Sequence, residues 1–254
     1  MKKTEYCYWC GKPATSREHV PPKCLFPEKK DIYSIYESNF RKNLITVPSC
    51  DEHNLEKSND DEYLMTVLAG AVGNNGIAYI HNMTKVGRAR KRNEKLVNVI
   101  SNGTVKINGR NFPVELIKLD NYKLSYSFEA IGRALYFKEY NKIFDGKIKV
   151  ISNIFNDYDK RETDSPMIKA AKMIGDERIH WSTKCSGENP KIFLYQFSPI
   201  DGFGVRTLYL RFYERLEVYI VFMEDITQNM NEQEKVQFQK RLSTLKALSK
   251  AIFK

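Results

Sequence analysis

No stretch of this 254-residue sequence approaches the run of about 20 apolar residues that a membrane-spanning helix needs. The chain also lacks long low-complexity segments, and it contains 15 Tyr and 14 Phe among 42% hydrophobic residues. These features argue against a membrane protein and against a globally disordered chain. The charged N-terminus has no apolar segment of the kind found in secretory signals, so we expect a cytoplasmic protein.

Cysteines and acidic residues are both limited. The five cysteines are an odd number, and the Cys7-x-x-Cys10 spacing favours metal or redox chemistry over a disulfide framework in a reducing compartment. Acidic residues number 31 against 41 Lys and Arg, which gives a net charge of +10. This surplus indicates an anionic partner, and nucleic acid is favoured over a membrane surface.

Turn residues and apolar spacing predict an α+β fold with two domains. Residues 1–75 contain turns rich in Gly and Pro, a short strand at 43–48, and a helix that begins near Glu52. Glycines at 70, 73 and 76 mark the end of this region. We expect it to form a small N-terminal module.

Residues 76–254 are expected to form a larger α+β domain with a mainly antiparallel sheet. The predicted helices are a basic helix or arm at 84–100, an apolar-spaced helix at 127–144 and a basic amphipathic helix at the C-terminus. A hairpin follows the arm, with turns at the Asn-Gly pairs 102–103 and 108–109. Strands are predicted at 147–155, 191–200, 206–213 and 216–224.

Two half-sites at metal-ligand spacing lie in the first domain. Cys7 and Cys10 form one, and Cys50 and His53 form the other. Three sulfurs and one imidazole suit a tetrahedral structural zinc, which has no open position for water or substrate. The alternatives are that Cys24 replaces His53 or that no metal binds. Cys185 stands far downstream, and the simplest interpretation is a small buried side chain.

A second group of polar residues lies beside these half-sites. Glu18 and His19 follow Cys10 by less than ten residues, and Asn54 follows His53 directly. A carboxylate and an amide oxygen suit a hard cation such as Mg²⁺ or Mn²⁺, and histidine is suited to take a proton from water near neutral pH. Together these groups can hydrolyse a phosphodiester bond.

Three ordered motifs carry a family resemblance. They are CxxC at 7–10, REHVP at 17–21 and VPSCxxHNxxKS at 47–58. Together they cover about residues 5–65 and resemble the zinc-braced HNH endonucleases. These are the ββα-metal, or His-Me finger, nucleases, a group that includes the phage Holliday-junction resolvases.

The resemblance implies an N-terminal zinc-braced ββα-metal module. His19 would be the general base, Glu18 and Asn54 would hold the catalytic cation, and the products would be a 3′-hydroxyl and a 5′-phosphate. The chain departs from the family by having Glu18 in place of the frequent Asp and His53 in place of the usual Cys. A third family position on the helix has no clear match, although Asn59 and Asp61 are candidates.

The strand geometry raises a difficulty, because neighbouring residues on a regular strand face opposite sides. Glu18 and His19 can both reach one phosphate only if the strand is irregular there. The alternative is that Glu18 is an exposed acid and His19 is a structural histidine. His81 and His180 have no partners at useful spacing and are also expected to be structural.

Basic residues in two regions are candidates for nucleic-acid contacts. The first set flanks the predicted site and comprises Arg17, Lys23 and Lys57. The second set lies in the predicted arm and comprises Lys85, Arg88, Arg90, Lys91, Arg92 and Lys95. Such an arm could lie along a phosphate backbone with little sequence information, or it could be a solvated face or linker.

We therefore expect a metal-dependent HNH endonuclease acting on DNA. A homodimer, or a partner protein in a phage-defence or restriction-type system, is consistent with this architecture. The first alternative is a non-catalytic zinc-binding module for DNA or protein interaction. The second is a redox protein that uses Cys7 and Cys10.

Overall fold

The computed structural model describes residues 5–55, 58–155 and 165–252. Within these residues helices and antiparallel strands are mixed, so the predicted α+β class is confirmed. Among them, no helix combines the length and apolarity that a bilayer crossing requires.

A two-stranded antiparallel sheet and the helices after it form the N-terminal part. Strand β1 (Ser16–His19) pairs with β2 (Thr46–Ser49). The strand predicted at 43–48 is therefore present, but it begins and ends slightly later in the sequence. The predicted helix begins as α2 (Asp51–Leu55) and continues as α3 (Ser58–Gly70). The connection between β1 and β2 carries helix α1 (Lys29–Tyr36), which the sequence left ambiguous.

Helical segments and a hairpin follow. Asn75 caps helix α4 (Gly76–His81) by accepting a hydrogen bond from the backbone N–H of Ala78. A π-helical segment (Asn82–Val86) then leads into α5 (Gly87–Arg92). The predicted arm is therefore helical only up to Arg92.

Strands β3 (Asn98–Ile107) and β4 (Arg110–Lys118) form the predicted hairpin. Asn108 and Gly109 make its turn with φ values of 48° and 81°, the positive values that a two-residue hairpin loop favours. The turn predicted at residues 102–103 is wrong, because this Asn-Gly pair lies within β3 and is paired across the ladder with β4.

A five-stranded antiparallel sheet forms the C-terminal part, in the order β5-β9-β8-β7-β6. Its strands are β5 (Lys147–Ser152), β6 (Ser186–Asn189), β7 (Phe193–Phe197), β8 (Val205–Phe212) and β9 (Leu216–Met223). Four of them match the predicted strands. β6 is additional, because its sequence, SGEN, lacks the apolar and β-branched residues that indicate a strand.

Helices cover both faces of this sheet. Helix α6 (Asn121–Tyr140) begins at its Asp120 cap, earlier than predicted, and packs on one face. Helix α7 (Pro166–Arg178) packs on the other face. The chain continues into α8 (Glu232–Ile252), the predicted C-terminal helix.

Buried side chains from both predicted domains belong to one hydrophobic core. Tyr8 and Leu68 lie in the same cluster as Phe128 and Phe222. The Tyr213 hydroxyl donates a hydrogen bond of 2.6 Å to the carbonyl oxygen of Leu25. The boundary at residues 75 and 76 stays a prediction, but the N-terminal part is held in place by the sheet and by α6.

Candidate metal centre and catalytic site

Two backbone turns bring the predicted zinc ligands together. The first turn places Cys7 and Cys10 close in space, and it is closed by the Gly11 N–H, which donates to the Cys7 carbonyl over 3.0 Å. Gly11 has a φ of 72°, which a residue without a Cβ adopts at little cost. The N–H of Tyr8 donates to the Pro48 carbonyl over 3.0 Å, which joins this turn to the end of β2 just before Cys50.

The ligand atoms of Cys7, Cys10, Cys50 and His53 all lie within 4.8 Å of one another. The two sulfurs of Cys10 and Cys50 are 3.7 Å apart, and the His53 Nδ1 lies 3.8 Å from the Cys7 sulfur and 3.2 Å from the Cys50 sulfur. A tetrahedral zinc with bonds of about 2.3 Å to sulfur and about 2.1 Å to nitrogen would separate two sulfurs by about 3.8 Å and a sulfur from a nitrogen by about 3.6 Å. The four side chains could therefore hold a metal ion such as zinc.

Aromatic and cationic groups fix the orientation of His53. Its ring stacks on Trp9, with centroids 5.0 Å apart and ring planes 18° from parallel. The same Trp9 ring also contacts Arg133 on α6, whose guanidinium lies 5.1 Å from the ring centroid. These contacts connect the ligand set to the helix that supports the large sheet.

The remaining two cysteines lie outside this set. The Cys24 thiol donates to the Asp61 carbonyl over 3.2 Å, and burial raises its pKa to about 12. His53 is therefore the fourth member of the set, in agreement with the preferred prediction. Cys185 is exposed, so the expectation of a buried side chain is wrong. It lies just before the short edge strand β6, where little chain covers it.

Asn54 and Glu18 lie toward the same face of β1. The Asn54 side-chain amide donates a hydrogen bond of 2.8 Å to the Ser16 hydroxyl, which lies two residues before Glu18 and therefore on the same face. Glu18 itself is only 6% exposed. Burial, together with this carboxylate, raises the pKa of the Tyr8 phenol well above its ordinary value. The two predicted oxygen ligands are thus brought toward one another by α2.

His19 occupies the other face of β1, at the strand's last position. Burial lowers the pKa of its imidazole, and the positive charges of Lys23 and Arg41 lower it further, while Glu18 acts in the opposite direction. The ring is therefore held in the neutral form, which can accept a proton. The two cations that cause this shift also favour an incoming phosphate.

The difficulty expected from strand geometry is present. The pairing of β1 with β2 is regular through Glu18 and His19, and the Val20 N–H continues it by donating to the Ile45 carbonyl. Side chains at these two positions therefore leave the strand on opposite faces. The structure brings Glu18 toward Asn54 and places His19 beside Lys23 and Arg41, but it does not put all these groups on one face.

Most of the predicted nucleic-acid contacts are engaged in ion pairs on the surface. Arg17 pairs with Glu5 at 2.8 Å, whereas Lys57 lies outside the described residues. In the arm the pairs are Lys85 with Glu28, Arg88 with Asp31, Arg90 with Glu115, and Arg92 with Glu62. Lys91 is exposed. The exposed pairs, Arg90 with Glu115 and Arg92 with Glu62, contribute about 0–1 kcal/mol, so phosphate groups can replace these acids, whereas the Asp31 carboxylate that binds Arg88 is largely buried.

Several residues of this site were missed in the sequence. Arg41 lies in the polar stretch between the two strands, where no spacing relates it to His19. Ser16 could have been found, because it lies two residues before Glu18 on the same predicted strand. Trp9 and Arg133 are far apart in sequence, and only the packing of α6 brings them together.

Comparison of the chain with protein-family models, with curated proteins and with solved structures found no match. A function for the chain must therefore be argued from its own residues and their geometry.

Proposed function

We propose that this chain is a metal-dependent endonuclease of the HNH type that hydrolyses phosphodiester bonds in DNA. One observation carries the proposal: the Cys/His set joins α2 to the turn before β1. Asn54 on α2 thereby reaches Ser16 on β1, the strand that also carries Glu18 and ends in His19. Glu18 and Asn54 supply two oxygen atoms for a cation on one face of β1, and His19 supplies a neutral imidazole beside two cations on the other face, at the end of the strand. The proposal requires that a scissile phosphate bound at this end of β1 is reached from both faces.

Each group has a distinct role in this proposal. The Cys/His set holds a structural zinc that braces the fold. Glu18 and Asn54 are the residues that would hold Mg²⁺ or Mn²⁺, which supplies stabilisation of negative charge on the phosphate when bound. His19 takes a proton from the attacking water, whose oxygen forms a new bond to phosphorus. The bond from phosphorus to the 3′ oxygen breaks, the 3′ oxygen takes a proton from solvent water, and the products are a 3′-hydroxyl and a 5′-phosphate.

The surrounding charges support this chemistry. Lys23 lies in a 3₁₀ turn directly after the strand, and its neighbour Cys24 accepts a hydrogen bond of 3.0 Å at its carbonyl from His81. Arg41 donates to the Phe26 carbonyl over 2.9 Å, which holds its guanidinium near the same turn. The guanidinium of Arg41 and the backbone at Lys23 are thus positioned by contacts that do not depend on substrate.

Nicking of supercoiled plasmid DNA, with Mg²⁺ or Mn²⁺ titrated into the purified full chain, tests the proposal. We expect His19→Ala to abolish nicking while the zinc content and the circular dichroism spectrum remain those of the wild type. His180→Ala changes an exposed histidine after α7 and serves as the matched control, with full activity expected. Equal nicking by the wild type and His19→Ala would show that the catalytic assignment is wrong.

A second candidate is a zinc-braced module that binds DNA or protein without cleaving it. The observation that favours it is the burial of Glu18 on the face of β1 opposite to His19. It predicts DNA binding that is unaffected by His19→Ala, with no nicking at any divalent cation concentration. A redox role for Cys7 and Cys10 predicts reactive thiols, whereas one bound zinc per chain with unreactive thiols would dispose of it.

The proposed module makes one cut per active site. A double-strand break therefore requires a homodimer, a partner protein or two successive nicks. A role as a phage-defence or restriction-type effector is part of the proposal and rests on the family resemblance alone.

A further inference from the structure

The β3–β4 hairpin presents almost all of its surface to solvent. Every residue of β3 except Val105 is exposed, and β4 alternates between exposed and half-buried positions. Within the part of the chain that the structure describes, these strands pair only with each other, as a two-stranded sheet. A two-stranded ribbon has little stability of its own in water, and this one is anchored by Ile117, which packs against the core, and by the ion pair of Glu115 with Arg90. The rest of the ribbon is left open to contact with a partner.

The hairpin and α5 carry most of the net positive charge. Residues 85–118 contain nine Lys and Arg against two Glu, a net charge of +7 out of +10 for the whole chain. One of the two acids, Glu115, is neutralised by Arg90 at 2.6 Å. This charge favours a polyanion and disfavours a second copy of the same hairpin, which would bring like charges together.

Cross-strand pairing gives the ribbon two different faces. One face is polar and pairs Asn102 with Glu115, Thr104 with Pro113, and Lys106 with Asn111. The opposite face is mainly apolar and carries Val105, Ile107, Phe112, Val114 and Leu116, with Arg110 opposite Ile107 at its tip. Asn, Thr and Lys are side chains that donate or accept hydrogen bonds at base edges.

We propose that the β3–β4 hairpin is a DNA-binding arm whose polar face lies in the major groove of duplex DNA. The proposal rests on the nuclease function proposed above and names its substrate as double-stranded DNA. The major groove, about 12 Å wide, admits a two-stranded ribbon, and a ten-residue strand extends about 34 Å, close to one helical turn of the duplex. At the hairpin tip Lys106 lies on the polar face and Arg110 on the opposite face, and in this placement both long side chains reach phosphate groups at the rim of the groove.

The arm is placed to act together with the candidate catalytic site. Residues 93–97 join helix α5 to β3, and Arg92 at the end of α5 pairs with Glu62 on α3. Lys85 just before α5 shares Glu28 with Arg41, the cation that lowers the pKa of His19. Basic side chains therefore run from the catalytic site to the base of the arm.

Duplex binding is measured by fluorescence anisotropy with a labelled 30-base-pair DNA, in the full chain carrying His19→Ala so that no cleavage occurs. The test variant adds Lys106→Gln and Arg110→Gln. The matched control adds Lys147→Gln and Lys149→Gln, which remove the same charge from exposed positions on edge strand β5. The salt dependence of the association constant is recorded for each protein.

We expect the tip variant to bind duplex roughly tenfold more weakly, with a slope of log K against log salt that is smaller by about 1.8, while the control is unchanged. Equal effects of the two double substitutions, or no effect of the tip variant, would overturn the proposal. So would a tip variant that loses binding to the single strand as much as to the duplex. None of these outcomes depends on catalysis, so a failed arm and a failed nuclease are distinguishable.

A second pair of variants tests which face meets the DNA. Thr104→Asp places a negative charge on the polar face, and Ser101→Asp places one on the opposite face, at two exposed positions of the same strand. We expect the association constant of the Thr104→Asp variant for duplex DNA to be at least fivefold lower than that of the Ser101→Asp variant. If Ser101→Asp weakens duplex binding as much as Thr104→Asp or more, the polar face is not the one that meets the DNA and the proposal is wrong.

Discussion

Acidification is expected to destabilise this protein through one buried histidine. His81 has no exposed surface, and its Nε2 lies 3.0 Å from the carbonyl oxygen of Cys24. Burial lowers the pKa of this imidazole to about 4. In the unfolded chain the same group titrates near its ordinary value of about 6.5.

The sign and size of the effect follow from these two values. Above pH 6.5 the ring of His81 is mostly neutral in the folded and in the unfolded chain, so it has little effect on the free energy of unfolding. As the pH falls toward 4, the unfolded state takes up a proton that the folded state does not, so the free energy of unfolding decreases. Between pH 7 and pH 5 the loss from this single group is about 2 kcal/mol, and it stops growing below pH 4.

Urea unfolding of the wild type, His81→Gln and His180→Gln at pH 7, 6 and 5 measures this loss. Glutamine keeps an N–H donor near the Cys24 carbonyl and does not titrate, and His180 provides an exposed control. We expect the wild type and His180→Gln to lose about 2 kcal/mol more than His81→Gln over this range. Parallel pH profiles for the wild type and His81→Gln would refute the reasoning, since protonation of the Cys/His set is common to all three proteins.

Two further predictions concern the metal set and the helix–sheet contact. Zinc analysis is expected to show one zinc per chain in the wild type, in His53→Cys and in Cys24→Ala. The zinc content of His53→Ala is expected to be reduced. Loss of zinc in Cys24→Ala would contradict the assigned ligand set. A methyl group at Gly132 would lie 2.9 Å from the Ile220 Cδ1. Gly132→Ala is therefore expected to lower the free energy of unfolding by about 1–2 kcal/mol despite the better helix propensity of alanine, and an unchanged urea midpoint would contradict this close contact.

The metal set was predictable because its chemistry is local. Each half-site is a short turn or the first turn of a helix, so spacing alone determines which side chains can meet. Only the choice between His53 and Cys24 as the fourth ligand required the three-dimensional structure. The turn at Asn108 and Gly109 was predictable for the same reason, whereas the Asn-Gly pair at 102–103 was misjudged because ladder pairing with β4 outweighs a local turn preference.

The arrangement of the candidate catalytic residues was less predictable, because it depends on which way a strand faces. Alternation correctly indicates that Glu18 and His19 leave β1 on opposite sides. The sequence gives no sign that Glu18 is buried beside Tyr8, or that Arg41 lies near His19. Both facts come from packing between segments whose separation in sequence carries no periodic signal.

The same packing bears on how the two predicted domains behave. The ligand set is supported from α6 through Trp9 and Arg133, and the backbone at Leu25 accepts a hydrogen bond from Tyr213 at the far end of β8. Separation of the chain near residue 75 would remove both contacts and expose apolar surface of the shared core. A metal ion held by the Cys/His set would join only the Cys7–Cys10 turn and the first turn of α2, so it could not replace that surface. We therefore expect the N-terminal module and the larger sheet to unfold as one cooperative unit, with the position of His19 depending on both.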